Sequence, residues 1–427
     1  MNEAERVAMR RGWCPGTLRP METGDGWLVR LHPPRDALTP QRLAAVAELA
    51  ARHGNGQIEV SSRGNLQLRG VSAGTHPALV AALLAGDLVD EAEGDGPNRL
   101  VLASPLAGRA ADDRIDAAAL AEAVERAGRT VAGVPPKTSI VVDGGGALTL
   151  DGFAADLRLR ALDTGTVGLQ IADGPWFGPL PVTEAPAIAA KLLTGFVALR
   201  GALPKPPSRM RALDKDQMAG LAAGLPVLPP PPARPSPAAT GLFPERSGLA
   251  LLAVLPFGRC EAQTLARIAD AAQAAGVALI RPTPWRGLAF CGLDADRAER
   301  LGEALTGLGQ IVAADDPRLG VAVCTGAPGC TRGQAATLAD APLIVAALPP
   351  RLAAGLHVSG CAKACAHPGP ATLTLTGHGG AYEVVFGGRA GDPPEAVLGL
   401  AELVRRLEPG QDIRARLEAA QQRDRTA

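Results

Sequence analysis

The sequence predicts an α+β fold made twice over: two ferredoxin-like half-domains and two mixed α/β domains related by a pseudo-two-fold axis. Three observations carry this reading. Residues 27–70 (WLVRLHPPRDALTPQRLAAVAELAARHGNGQIEVSSRGNLQLRG) align without a gap with residues 249–292 (LALLAVLPFGRCEAQTLARIADAAQAAGVALIRPTPWRGLAFCG), each residue 222 positions from its counterpart. Each copy reads as an apolar strand, a helix with Ala and Leu at helical spacing, and two further short strands, which is half of a ferredoxin-like layer. Residues 225–240 (LPVLPPPPARPSPAAT) divide the chain nearly in half, and such dense proline denies backbone donors and leaves a stiff connector.

The elements follow in order. In the first copy Thr39 suits a helix N-cap, Pro40 the first helical position and Gly54 the end, and Gly276 takes the matching place in the second. The remainder of each half, residues 97–200 and 315–407, mixes helices with short strands, some of them separated by Gly-rich turns at 143–146 and 377–380. The expected partition is 1–90 for the N-terminal segment and first half-domain, 91–224 for the first mixed domain, and 225–244 for the linker. The second half-domain then takes 245–310 and the second mixed domain 311–427. Arg234 and Lys205, near the linker, are expected to matter little for ligand binding.

A chain of 427 residues with 47% hydrophobic and 20% charged residues is globular rather than disordered. The apolar stretch 249–257 is interrupted by Pro256 and falls short of the roughly 18 residues a membrane span needs. With 43 Lys+Arg against 43 Asp+Glu and 3% aromatics, neither a global field nor stacking platforms would draw in nucleic acid. The first eleven residues are charged and lack an apolar export segment, so the seven cysteines point to thiols and metal ligands in a reducing cytoplasm.

Four cysteines form the main chemical signal. Cys324, Cys330, Cys361 and Cys365 stand as VCTGAPGCT and SGCAKACAHP, a C-x5-C pair followed by C-x3-C. Gly326, Pro328 and Gly329 let the first loop fold back, and the four-residue step of the second pair would put both sulfurs on one face near a helix start. Convergent thiolates at this spacing favour a [4Fe–4S] cluster over structural zinc or inert thiols. The 222-residue offset carries the four back to Leu102, Gly108, Ser139 and Asp143, so one half alone keeps a cluster site. Cys260 and Cys291 read as ordinary buried residues, and Cys14 stays open between a structural and a functional role.

At these residues the chain resembles the sulfite and nitrite reductase superfamily, which shares the duplicated architecture and the C-x5-C, C-x3-C motif beside a tetrapyrrole site. Ser61-Ser62-Arg63-Gly64-Asn65-Leu66-Gln67 is similar to its T-T-R-Q-x-x-Q segment, Asn98-Arg99 to its N-R step, and Pro135-Pro136-Lys137-Thr138-Ser139 to P-R-K-F-K. The resemblance implies that Arg63, Arg99 and Lys137 hold the carboxylates of a tetrapyrrole. Several fixed cations are what such a ring needs, and Arg offers a bidentate fork. Ser139 departs from the pattern, because a second lysine would stand there, and its neutral hydroxyl is expected to leave the site short of a key cation.

Gly12-Trp13-Cys14-Pro15-Gly16 and Pro20-Met21-Glu22-Thr23-Gly24-Asp25-Gly26 are similar to the precorrin-3B synthases, a shorter branch of the superfamily. That resemblance implies a monooxygenase of aerobic cobalamin biosynthesis. It would hydroxylate precorrin-3A at C-20 with dioxygen and form a lactone, giving precorrin-3B. It also implies a mononuclear non-haem iron, for which none of the six histidines begins an H-x-D or H-x-E motif. No G-x-G-x-x-G turn or phosphate-binding loop is present, so electrons are expected from NADH through a separate reductase. The alternatives are a small sirohaem-dependent sulfite or nitrite reductase, and a non-catalytic electron carrier or tetrapyrrole-binding protein.

Overall fold

The computed structural model describes residues 13–90 and 96–407; Gly12 of the opening motif, residues 91–95 and residues 408–427 lie outside the described residues. Alternating apolar residues and glycine-terminated helices build four sheets, two for each half of the chain. One runs in the order Met21–Thr23, Gly26–Leu31, Leu66–Val71, Gln57–Val60 and Arg259–Glu261, and its counterpart in the order Gly241–Glu245, Gly248–Val254, Gly287–Leu293 and Leu279–Thr283.

The repeat closes on itself by exchange. Arg259–Glu261, from the second copy, pairs with Gln57–Val60 of the first, setting Cys260 opposite Ile58. In return Leu38 bridges to Ile280, with N–H···O distances of 2.9 and 2.8 Å. Cys260 lies 222 positions after Leu38, and Ile280 the same distance after Ile58, so the two pairings are images of each other. The helices Pro40–His53 and Ala262–Ala274 pack together, and Leu43, Val46, Leu265 and Ile268 are almost wholly buried in one shared core. Truncating Leu43 to alanine there costs about 2–5 kcal/mol.

The first helix starts at Pro40 with Thr39 Oγ1 accepting from Arg42 N, and is closed by Gly54. In the second copy Gly276 takes a φ of +67° just past the helix end. Gly70 and Gly292 share a positive φ at equivalent positions of the last strand; a Cβ on Gly70 would meet Asn55 at 2.4 Å.

The other two sheets share a topology. Val101–Ala103, Ile140–Asp143 and Leu157–Ala161 are parallel, then Thr166–Ile171, Trp176–Pro181 and Val227–Leu228 continue antiparallel. Val321–Val323, Leu356–Ser359 and Ala371–His378 likewise run parallel before Ala381–Gly388 and Ala396–Leu398. Two expectations need correction here. Val101 faces Ile140 where Val321 faces Leu356, so the offset shrinks to 220 and then to 216, and Cys324, Cys330, Cys361 and Cys365 correspond to Ser104, Ala110, Gly145 and Thr149 rather than Leu102, Gly108, Ser139 and Asp143. The proline-rich connector is also anchored: Val227 pairs with Phe177, and Arg234 forks onto Asp143 and Asp151.

Candidate functional site

The four cysteines sit on two loops that leave neighbouring parallel strands. Val321–Val323 delivers Cys324, whose Sγ accepts a hydrogen bond from Gly360 N at 2.9 Å. Gly326, at φ +60°, turns the loop back so that Cys330 N reaches Gly326 O at 2.8 Å. A Cβ on Gly326 would lie 2.2 Å from Thr337 Oγ1, and one on Gly360 would lie 2.8 Å from Gly326 Cα, so the two loops touch backbone to backbone.

The second pair departs from expectation. Cys361 and Cys365 lie in irregular turns rather than on a helix face, because Ala364 adopts φ +56° with Pro368 and Pro370 close behind. The turn nevertheless gathers the thiols. The charges of Cys324 and Cys330 bear on Cys361, and those of all three bear on Cys365. Burial pushes the Cys361 and Cys365 thiols up, and the neighbouring sulfurs add to this. A cationic iron core relieves that repulsion. Among the described residues no three His, Cys, Asp or Glu side chains close on a single ion; thiolates bound to the four iron corners of a cubane stand farther apart than ligands around one metal. The touching loops and the mutual influence of the four sulfurs fit a [4Fe–4S] cluster on Cys324, Cys330, Cys361 and Cys365. Burial instead pushes Cys260 and Cys291 up to about 12, helped by Glu261 and Glu245 respectively, as inert thiols.

Arg63, Arg99 and Lys137 line one cavity of about 680 Å³, which the segment Arg281–Pro284 of the second half borders through Arg281, Pro282 and Pro284. Arg63 leaves a turn in which Ser61 Oγ accepts from Asn65 N and Gly64 takes φ +68°, and its Nη2 donates to Ala154 O at 2.7 Å. Arg99 donates to Pro33 O at 2.8 Å and pairs with Asp36; burial lowers it to about 10. Burial, then the nearby Arg209, lowers Arg63. Desolvated guanidiniums crowded in this way favour an anion.

The sequence reading missed six further cavity arginines, among them Arg30, Arg281 and Arg209. Arg30 donates twice to Gln67 Oε1, at 3.0 and 2.7 Å, and meets Cys14 inside the cavity. Arg281 donates to Pro105 O and Ala107 O. Arg209 directs Nη2 to Ser139 Oγ at 3.2 Å. Position 139 thus lacks a lysine without lacking a cation, which corrects the expectation of a neutral gap there. The one signal in the sequence was indirect, since Gln67, which holds Arg30, stands inside the Arg63 motif.

A buried relay joins cavity and cluster loop. Gln67 Nε2 donates to Glu59 Oε2 at 2.8 Å, and Glu59 holds both Arg69 and Arg259. Those arginines reach the cluster loop, Arg69 at Gly329 O and Arg259 at Thr325 Oγ1.

The nitrite/sulfite reductase ferredoxin-like half domain matches twice, at residues 19–86 and 244–308. The chain is 36% identical over 91% of its length to a precorrin-3B synthase from a Sinorhizobium species, covering 86% of that protein. It is 24% identical to a ferredoxin-linked sulfite reductase of Mycolicibacterium paratuberculosis, over 82% of this chain and 70% of the relative. The solved Mycobacterium tuberculosis NirA protein superposes with a TM-score of 0.69 at 21% identity, over 91% of this chain and 83% of that one. By its twice-used half-domain and its kinship along nearly the whole length, the chain belongs to the precorrin-3B synthase family of the sulfite/nitrite reductase superfamily.

Proposed function

We propose that the protein is an oxidoreductase of cobalamin biosynthesis that hydroxylates precorrin-3A at C-20 with dioxygen and closes a lactone, giving precorrin-3B. The observation that carries this reading is the kinship to a precorrin-3B synthase along 91% of the chain. It is supported by a cavity that sets Arg63, Arg99 and Lys137 around a volume fit for a large anionic ligand. One oxygen atom enters the product and the other leaves as water, so two electrons and two protons must come from outside. We assign their delivery to an NADH-dependent reductase, a separate protein.

The cluster held by Cys324, Cys330, Cys361 and Cys365, when bound, supplies electrons singly. The chain's own residues do the rest. Arg63 and Arg99, tied to Ala154 O and Pro33 O, present fixed forks to the substrate's carboxylates and orient the macrocycle. Glu59, through Arg69 and Arg259, keeps the cluster loop at a set distance from that cavity.

The test is the purified protein with precorrin-3A, a reductant and labelled dioxygen. One labelled oxygen atom in the product is expected, and label from water in the new hydroxyl overturns the reading. Arg209 at Ser139 favours one second reading, a sirohaem-dependent reductase of sulfite or nitrite, since that cation suits a small anion as well. Strong visible sirohaem bands with six-electron reduction of sulfite or nitrite would establish it.

A further inference from the structure

Arg209 comes from the segment after the helix Ala185–Gly201, far in sequence from the other cavity cations, yet it is among the most firmly placed of them. Its Nε lies 3.0 and 2.8 Å from the two oxygens of Asp156, a carboxylate with 1% of its side chain exposed. Asp156 also accepts from Met210 N at 2.7 Å and Ser139 N at 2.9 Å. One buried carboxylate therefore fixes both the backbone of Ser139 and the guanidinium that faces it. The Arg209 Nη2 then meets the Ser139 hydroxyl inside the cavity, and Arg63 stands close enough for the two positive charges to oppose each other.

Resting on the tetrapyrrole reading above, we propose that Arg209 and Ser139, with Arg63 across from them, form a seat for one carboxylate of the macrocycle and set which edge of the ring enters first. The arrangement is rigid before any ligand arrives, which lowers the ordering cost of binding. A bound carboxylate bridges the two guanidiniums and removes their repulsion, while the hydroxyl supplies a further donor. Asp156 is a positioning residue and does not touch the ligand.

The experiment titrates the cluster-containing protein with uroporphyrin, a macrocycle ringed with carboxylates, and with its fully methyl-esterified form, followed by porphyrin fluorescence. Arg209→Gln alone strands the buried Asp156 charge, so the deciding variant is Arg209→Gln with Asp156→Asn, which removes both charges together. It should bind uroporphyrin about ten- to hundredfold more weakly, while the weak binding of the ester stays unchanged. Ser139→Ala should give a smaller loss of the same kind. Wild-type affinity for uroporphyrin in the paired variant, alongside a loss in Arg63→Ala, overturns the seat and leaves the tetrapyrrole reading standing. No binding of uroporphyrin by the unaltered protein overturns both.

Discussion

Arg69 donates a hydrogen bond to the carbonyl oxygen of Gly329 across 2.7 Å, although 260 residues separate them along the chain. Its other nitrogens hold Asp25 and Glu59, and 3% of its side chain is exposed. Arg69→Gln leaves Asp25 without its cation and Glu59 with Arg259 alone, a loss of roughly 3–5 kcal/mol. The cluster loop should loosen with it: iron should leave on anaerobic gel filtration faster than from wild type, and the melting temperature should fall. Unchanged iron retention would show that the loop holds its shape without this hydrogen bond.

Replacing Cys324, Cys330, Cys361 or Cys365 with serine should each strip or weaken the cluster, read as iron and acid-labile sulfide per chain. About four of each are expected in the anaerobically prepared wild type. Cys260→Ser, in the shared strand at the centre of the fold, should keep them. Stoichiometric zinc without sulfide in the wild type would refute the cluster.

Arg63→Ala with Arg99→Ala should weaken precorrin-3A binding by roughly 2–5 kcal/mol for each guanidinium–carboxylate pair removed. Equilibrium dialysis under anaerobic conditions measures it, and unchanged affinity would remove both residues from the site.

Asp113 makes a pH-dependent contribution to stability. Burial, then the adjacent Asp112 and Asp143, raise its carboxyl to about 7, and its buried Oδ2 has no hydrogen-bond partner. A carboxyl raised in the folded state leaves stability intact below the unfolded pKa near 3.8 and costs stability as pH climbs from there to about 7. Asp113→Asn should therefore raise the melting temperature at pH 8 and change it little at pH 4. Equal shifts at both pH values would contradict the assignment.

Arg234→Met should destabilise the protein, though it leaves ligand binding alone. It leaves Asp143, with 2% of its side chain exposed, and Asp151 without their shared cation. Urea unfolding should show a lowered midpoint, while uroporphyrin affinity of the folded protein stays at wild type.

Much of the fold was legible because its signals are local. Thr39, Pro40 and Gly54 announce a helix by their own backbone chemistry, and the gapless repeat announces a second one. Spacing singled out the four cysteines, and motifs singled out Arg63, Arg99 and Lys137, three cations that line one cavity. What escaped depends on the path of the chain in space. Arg209 and Arg234 stand in no motif, and only tertiary folding carries them to Asp156 and Asp143. Ala364 holds a left-handed conformation that its residue type does not advertise, so a helix was expected where turns occur. The offset failed beyond residue 292 because the segments leading into and between the parallel strands differ in length in the two halves, while the strands kept their order.

The reciprocal pairing of Leu38 with Ile280 and of Cys260 with Ile58 also bears on how such a chain arose and how it is made. A single-copy ancestor could satisfy both pairings only as a symmetric homodimer, each protomer lending its partner the segment that seals a sheet edge. In a single chain that association is intramolecular, so closure does not depend on protein concentration. During synthesis the strand Gln57–Val60 leaves the ribosome with its outer edge open, and it stays open until Arg259–Glu261 follows. A fragment ending before the connector keeps that edge bare, and self-association through it is the physical outcome.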